Sequence, residues 1–146
     1  MILMNREASL FRVRHAAATL IKRFAITCPE EIVLEDIAMA LGILVLEDNL
    51  EGAEARLVRK ERKGIIRVRA DIPEVGRKRF AIAHDIGHWE SHVNLSQLAL
   101  CTETNLLEYS GSSPEVEANA FASELLMPTV LFRPRCENAE PNMELV

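Results

Sequence analysis

The sequence predicts an α+β fold that is mostly helical, with a few short β-strands. Four stretches carry apolar residues at three- and four-residue steps, which indicates amphipathic helices. Between the second and third of them, residues 55–72 alternate apolar and polar side chains, which indicates a hairpin. We find no internal repeat, so the 146 residues predict one domain over 1–135 and a flexible polar tail over 136–146.

Composition argues against several classes of protein. The apolar fraction of 49% and the charged fraction of 27% are those of a globular domain. A net charge of −5 disfavours a general nucleic-acid binder. No stretch approaches the roughly 18 apolar residues of a membrane span, and no signal-peptide core is present. The three cysteines include no CxxC pair, so a reducing cytoplasm is the expected location.

The N-terminal third predicts two helices and a strand. Residues 5–26 form a long amphipathic helix that Pro29 ends. A second helix runs from about residue 31 to 41, and Gly42 suits the left-handed position that closes it. The apolar residues 43–46 then predict a short strand.

Residues 55–72 predict a hairpin with Gly64 in the turn. Ten of the 17 Lys and Arg residues fall in this hairpin and just after it, with Arg67 and Arg69 on one face. Contact with nucleic acid would use these charges, although a solvated strand face is the simpler explanation. The second strand, residues 65–72, is also a candidate sheet edge for pairing with an extended peptide.

The most informative helix is predicted at about residues 76–93. Within it, His84 and His88 stand four residues apart, which places both rings on one face, roughly 6 Å apart along the axis. Two imidazoles in this arrangement can bind one metal ion, although the spacing alone is weak evidence. Asp85 stands where zinc peptidases place their general base, which is normally Glu. His92 extends the row, either as a contact near the site or as a partly exposed helix-end histidine.

A further helix offers a third ligand. Ser113 is the predicted cap, and the helix runs to about residue 126. In one class of zinc hydrolases, a Glu on such a helix completes the metal site. A polar residue one turn later then bonds to a ligand histidine. Glu115 and Asn119 have this spacing.

Two longer strings resemble the ImmA/IrrE family of metallo-endopeptidases. Residues 79–92, RFAIAHDIGHWESH, are similar to the family's Arg-Phe-Thr-hydrophobic-Ala-His-Glu-hydrophobic-Gly-His with a further His four residues on. Residues 115–128, EVEANAFASELLMP, are similar to its Glu-x-x-Ala-Asn-x-Phe-Ala-x-x-Leu-Leu-Met-Pro. With the preceding helix, glycine, strand and hairpin, the resemblance covers roughly residues 30–130.

This resemblance implies a zincin-like fold, with an active-site helix, a small mixed β-sheet and a second helix that brings the third ligand. It implies that His84, His88 and Glu115 bind Zn²⁺ and that Asn119 bonds to a ligand histidine. Glu117, at a position that varies in the family, is the second choice for the carboxylate ligand. It points about 200° away from Glu115 on a helix.

By the same resemblance, Asp85 occupies the position of the catalytic base. Its carboxylate is one C–C bond, about 1.5 Å, nearer the backbone than that of Glu, and a misplacement of an ångström can cost on the order of a hundredfold in rate. Three outcomes remain open: a compensating backbone shift, a slow enzyme, or a metal-binding relative that acts by binding a partner. Tyr109 and His92 are the candidates for stabilising the oxyanion.

The implied function is that of an intracellular zinc-dependent endopeptidase. Family members cleave or inactivate helix-turn-helix repressors, so the implied partner is a transcriptional repressor or an antitoxin-like regulator. No direct nucleic-acid partner and no membrane are expected. The rival hypothesis is a catalytically impaired metalloprotein that sequesters such a regulator.

Overall fold

The computed structural model describes residues 2–92 and 113–137, with side chains from residue 5 onward. Their architecture is α+β and mostly helical, as the sequence predicts. A 3-10 turn at Pro29–Glu31 precedes the second helix. The helices and strands are α1 (Ile2–Arg23), α2 (Leu34–Ala40), β1 (Ile43–Asp48), β2 (Ala55–Lys60), β3 (Lys63–Arg69), α3 (Val75–Ser91), α4 (Pro114–Leu126) and α5 (Thr129–Glu137).

The three strands form one mixed sheet in the order β1-β3-β2. β1 runs parallel to β3, and β2 runs antiparallel to it. The prediction that residues 65–72 form a free sheet edge is therefore wrong. The hairpin turn pairs β3 with β2 on one side only, and β1 occupies the other side, so the edges of this sheet belong to β1 and β2.

The hairpin turn lies two to three residues before Gly64, the predicted turn residue. Lys60 pairs with Lys63, which leaves Glu61 and Arg62 as the turn residues, and Glu61 adopts a left-handed φ of 58°. Gly64 instead lies within β3, where a Cβ atom would collide with the six-membered ring of Trp89. Its small size therefore serves the packing of α3 on the sheet rather than the turn.

The end of α1 also precedes the predicted boundary. Ala25 has a φ of 52°, and the amide of Ile26 donates to the carbonyl of Ile21 at 3.0 Å. These features close the helix in the manner of a Schellman motif. The helix thus ends at Arg23, six residues before Pro29, so the proline does not end it.

α2 begins later than predicted because residues 29–31 form a tighter turn. The Glu31 carboxylate accepts hydrogen bonds from the Thr27 amide at 2.9 Å, the Thr27 hydroxyl at 2.7 Å and the Cys28 amide at 3.1 Å. These bonds hold the pKa of Glu31 down to about 2. The carboxylate thereby organises the connection between α1 and α2.

The core forms where α4 packs between α1 and α3, while α3 also covers the inner face of the sheet. Gly87 of α3 lies against Phe121 of α4, a fully buried ring at the centre of this contact. The same contact brings the histidine face of α3 next to the first turns of α4. None of the helices in the described residues combines the length and apolarity needed to cross a membrane.

At the C-terminal end, α5 extends to Glu137 and contains Pro134. Residues 138–146, most of the predicted tail, lie outside the described residues. Tyr109, a candidate oxyanion contact, lies outside them as well. The domain boundary at residue 135 stays a prediction.

Candidate metal centre

The histidine face of α3 forms one wall of the site. His84 and His88 are one helical turn apart, and their Nε2 atoms lie 3.1 Å from each other. The two rings meet edge to face with centroids 4.7 Å apart. His88 is buried and His84 is half-buried, so both nitrogens are largely shielded from bulk water.

The opposite wall comes from the first turn of α4. Ser113 caps this helix, because its Oγ accepts a hydrogen bond from the Val116 amide at 3.1 Å. The cap sets the start of the helix so that Glu115 faces α3. The carboxylate lies 3.0 Å from His88 Nε2 and 3.3 Å from His84 Nε2.

These distances suit a tetrahedral metal ion. One ligand atom from each of His84, His88 and Glu115 lies within 4.8 Å of the others. Bonds of about 2.0–2.1 Å from zinc to nitrogen or oxygen place neighbouring tetrahedral ligands roughly 3.3 Å apart. The observed separations of 3.0–3.3 Å are close to that value.

Asn119 explains why the His84 lone pair faces the site. His84 Nδ1 lies 2.8 Å from Asn119 Oδ1, and donation of the Nδ1 proton to this oxygen leaves Nε2 as an acceptor. Burial lowers the pKa of His84, but the hydrogen bond and charge of Glu115 outweigh it and raise the pKa overall. The carboxylate therefore favours a cation at this point, which a proton or a metal ion can supply.

Asp85 lies beside this cluster without belonging to it. Its side chain is only 7% exposed, and Oδ2 is a buried atom with no hydrogen-bond partner among the described residues. Burial raises the pKa of Asp85 to about 6, with the charge of Glu115 adding to the rise and His84 and His88 opposing it. A carboxyl group in this state can exchange a proton near neutral pH.

His92 follows the last residue of α3 and is buried at 6% exposure, which favours a contact near the site over a partly exposed helix-end histidine. His92 Nδ1 lies 2.9 Å from His88 Nδ1, and its Nε2 lies 3.4 Å from Glu117 Oε1. Burial, followed by the nearby His88, lowers the pKa of His92, while the hydrogen bond and charge of Glu117 oppose this shift. Glu117 points away from the three-atom cluster, as its place on the helix predicts.

The pairing of Glu117 with His92 escaped the sequence analysis. The only sequence signals are the row of histidines at four-residue spacing and a second Glu two residues after Glu115. Neither signal shows which acidic residue meets which histidine, because the two helices are far apart in the sequence. Their relative rotation decides the pairing.

The sheet anchors the C-terminal end of α3. The Arg59 guanidinium stacks 3.5 Å from the centroid of the Trp89 ring and donates a hydrogen bond to the Trp89 carbonyl. Near the start of the helix, Arg79 donates to the Ile32 carbonyl at 3.0 Å. These ties fix the direction of the helix that carries the histidines.

The basic hairpin offers less free charge than its composition suggests. Arg67 pairs with Asp48 at 3.7 Å, and Arg69 pairs with Asp71 at 2.8 Å. Local acids therefore partly neutralise the two arginines proposed to contact nucleic acid. This pairing supports the interpretation of the hairpin as a solvated strand face.

A scan against protein-family models matches residues 38–145 to Peptidase_M78, the IrrE N-terminal-like domain. The chain belongs to this family. The match confirms the resemblance to the ImmA/IrrE family and spans α3, α4 and the sheet. A search of the curated proteins finds no match. Peptidase_M78 membership suggests a metallopeptidase, and the cluster of His84, His88 and Glu115 is a possible site for its metal ion.

Proposed function

We propose that this protein is a zinc-dependent endopeptidase that cleaves or otherwise inactivates a helix-turn-helix repressor or an antitoxin-like regulator. The observation that carries the proposal is the convergence of His84, His88 and Glu115 within 4.8 Å, beside the buried carboxyl group of Asp85. Two histidines and one carboxylate form a known set of ligands for catalytic zinc, which keeps one position open.

Asp85 would supply the base that a hydrolytic zinc site needs beside its metal ion. A bound zinc ion would polarise the scissile carbonyl and acidify a water molecule. Asp85 would take the proton from the attacking water and return it to the leaving amine. In the metal-free site, burial raises the pKa of Asp85 to about 6, which leaves the carboxylate mostly ionised at neutral pH and able to accept a proton.

The donor atoms favour zinc over the hard divalent cations. Magnesium and calcium prefer six or more oxygen ligands, whereas two of the three ligand atoms here are imidazole nitrogens. No thiolate joins the cluster among the described residues, which disfavours copper(I) and iron–sulfur centres. The small spacing of the donors also fits a tetrahedral ion.

A second candidate function is binding without cleavage. The side chain of Asp85 is one carbon shorter than that of the family's Glu, and its buried Oδ2 has no hydrogen-bond partner in the described part of the chain. If this carboxylate cannot reach the attacking water, the protein would hold zinc and sequester its regulator. This alternative predicts one zinc per chain, tight binding of the partner and no products.

The proposal is tested with purified protein and a panel of purified helix-turn-helix regulators. Chelation should abolish cleavage, and stoichiometric zinc should restore it, with the products identified by mass spectrometry. A His84→Ala variant should remain inactive after zinc is added. A zinc-loaded protein that binds the regulator tightly and leaves it intact would refute the peptidase in favour of sequestration.

A further inference from the structure

We propose that Glu117 and His92 are positioning residues that act in series to fix the His88 ring in its metal-binding tautomer. This inference rests on the proposed metal site, and it concerns two residues outside the three-atom cluster. The geometry is a row of contacts from Glu117 to His92 at 3.4 Å and from His92 to His88 at 2.9 Å. Each contact restricts where the protons of the next ring can be.

The Glu117 carboxylate determines which nitrogen of His92 carries the proton. A carboxylate oxygen accepts hydrogen bonds, so the contact between His92 Nε2 and Glu117 Oε1 places the His92 proton on Nε2. In a neutral imidazole the other nitrogen is then an acceptor, which makes His92 Nδ1 an acceptor. His88 Nδ1 must therefore carry a proton and donate it.

The consequence lies at the other end of the His88 ring. With the proton on Nδ1, the Nε2 lone pair of His88 points toward His84 and Glu115. That nitrogen is the ligand atom of the candidate metal site. The opposite tautomer would place a proton where the metal ion must lie.

Glu117 restricts the tautomer of His88 more strictly than Asn119 restricts the tautomer of His84. Asn119 orients His84 through an amide, and an amide offers both an acceptor oxygen and a donor nitrogen. A carboxylate has no such second choice. As long as Glu117 is a carboxylate, it therefore holds the His88 side in one protonation pattern.

Burial gives a second reason to assign a role to this pair. Glu117 is 3% exposed and His92 is 6% exposed, and Glu117 Oε2 has no hydrogen-bond partner within the described residues. Burying a carboxylate with an unpaired oxygen costs free energy, and an apolar pair of similar volume would stabilise the core at least as well. Orientation of a ligand histidine accounts for that cost.

The first test measures zinc affinity directly, by titrating metal-free protein with zinc against a chromophoric chelator. His92→Leu removes the acceptor and should weaken zinc binding by about 10- to 100-fold, as loss of such outer contacts does elsewhere. His92→Asn places an amide oxygen near the original Nδ1 position and should recover most of the affinity. His15→Leu, on the exposed face of α1, is the matched control and should bind zinc like the wild type.

The second test needs no variant and no metal. Nitrogen–proton correlation spectra of the metal-free wild-type protein should show His88 protonated at Nδ1 and His92 protonated at Nε2. Finding His88 protonated only at Nε2 would overturn the proposal. Wild-type zinc affinity in a folded His92→Leu variant would also overturn it.

These outcomes separate this inference from the proposed function. Zinc binding that depends on His92, in a protein that cleaves nothing, supports the positioning role and refutes the peptidase. Cleavage that persists in a His92→Leu variant with unchanged zinc affinity supports the peptidase and refutes the positioning role.

Discussion

Gly87 on α3 lies directly against the ring of Phe121 on α4, where a Cβ atom would stand 3.0 Å from Phe121 Cδ1. The two helices therefore approach more closely than a pair with larger side chains would allow. This approach matters for the site because His84 and His88 reach Glu115 across the same interface.

We expect Gly87→Ala to weaken the metal site while only moderately destabilising the fold. The added methyl must displace the buried Phe121 ring by a few tenths of an ångström, and overpacking of this kind costs about 1–3 kcal/mol. The shift also separates Glu115 from the histidines, so zinc affinity should fall. Chemical denaturation and zinc titration measure the two effects.

Gly76→Ala is the matched control on the same helix. No atom lies within 4 Å of a Cβ placed on Gly76, in the first turn of α3. The substitution should leave zinc affinity unchanged and stabilise the helix by up to about 1 kcal/mol, because alanine has the higher helix propensity. Equal zinc affinity in the two glycine variants would show that the helix spacing does not control the site.

Substitutions at Asp85 show whether its carboxylate acts as the base and whether the length of the side chain limits the rate. Asp85→Asn removes the proton acceptor at nearly constant shape and should reduce cleavage by at least about 100-fold. Asp85→Glu extends the carboxylate by about 1.5 Å and should raise the rate on the order of 10- to 100-fold if reach is the limit. Product formation by zinc-loaded protein is the measurement, with zinc content checked for each variant.

Full activity in the Asp85→Asn variant would show that Asp85 is not the catalytic base. If neither variant cleaves and both hold zinc, the sequestration hypothesis gains support. The control is Glu90→Gln, which changes one acid on the exposed side of α3 and should leave the rate unchanged.

Glu31 predicts a pH dependence of stability away from the site. Hydrogen bonds from Thr27 hold its folded pKa near 2, below its ordinary value of 4.5. A depressed carboxyl pKa stabilises the folded state at pH values above the unfolded pKa, and this stabilisation is lost as the pH falls toward 2. Glu31→Gln should therefore lower the melting temperature at pH 7, and the difference from wild type should shrink steadily below about pH 4.5.

Glu51→Gln serves as the comparison, because it removes the same charge from an exposed loop position. Its melting temperature should follow that of the wild type at both ends of the pH range. If Glu31→Gln lowers the melting temperature by the same amount from pH 7 to pH 3, the shape of the side chain rather than its charge stabilises the turn.

Much of the local structure could be predicted because its causes lie within a few residues of one another. A four-residue step fixes His84 and His88 on one helix face. Ser113 before Pro114 marks a helix start that the structure confirms. The α+β class followed from apolar periodicity alone, and the family followed from two motifs that the family match confirms.

The order of the strands and the reason for a glycine at position 64 depend on contacts between distant parts of the chain. The sequence predicted Gly64 as a turn residue, but a glycine is needed there because the Trp89 ring of α3 leaves no room for a side chain. The hairpin strand looked like a free edge, but β1 pairs with it from an earlier part of the chain. No local pattern records such pairings, because they are decided by which surfaces the folded chain buries together.

The sequence by itself determined the fold class, the family and the residues able to bind a metal ion, since spacing along a helix is a local property. Only the tertiary structure decided that Glu115 faces His84 and His88 while Glu117 faces His92. The physical reason is the rotation of α4 against α3, set by the buried contact between Phe121 and Gly87.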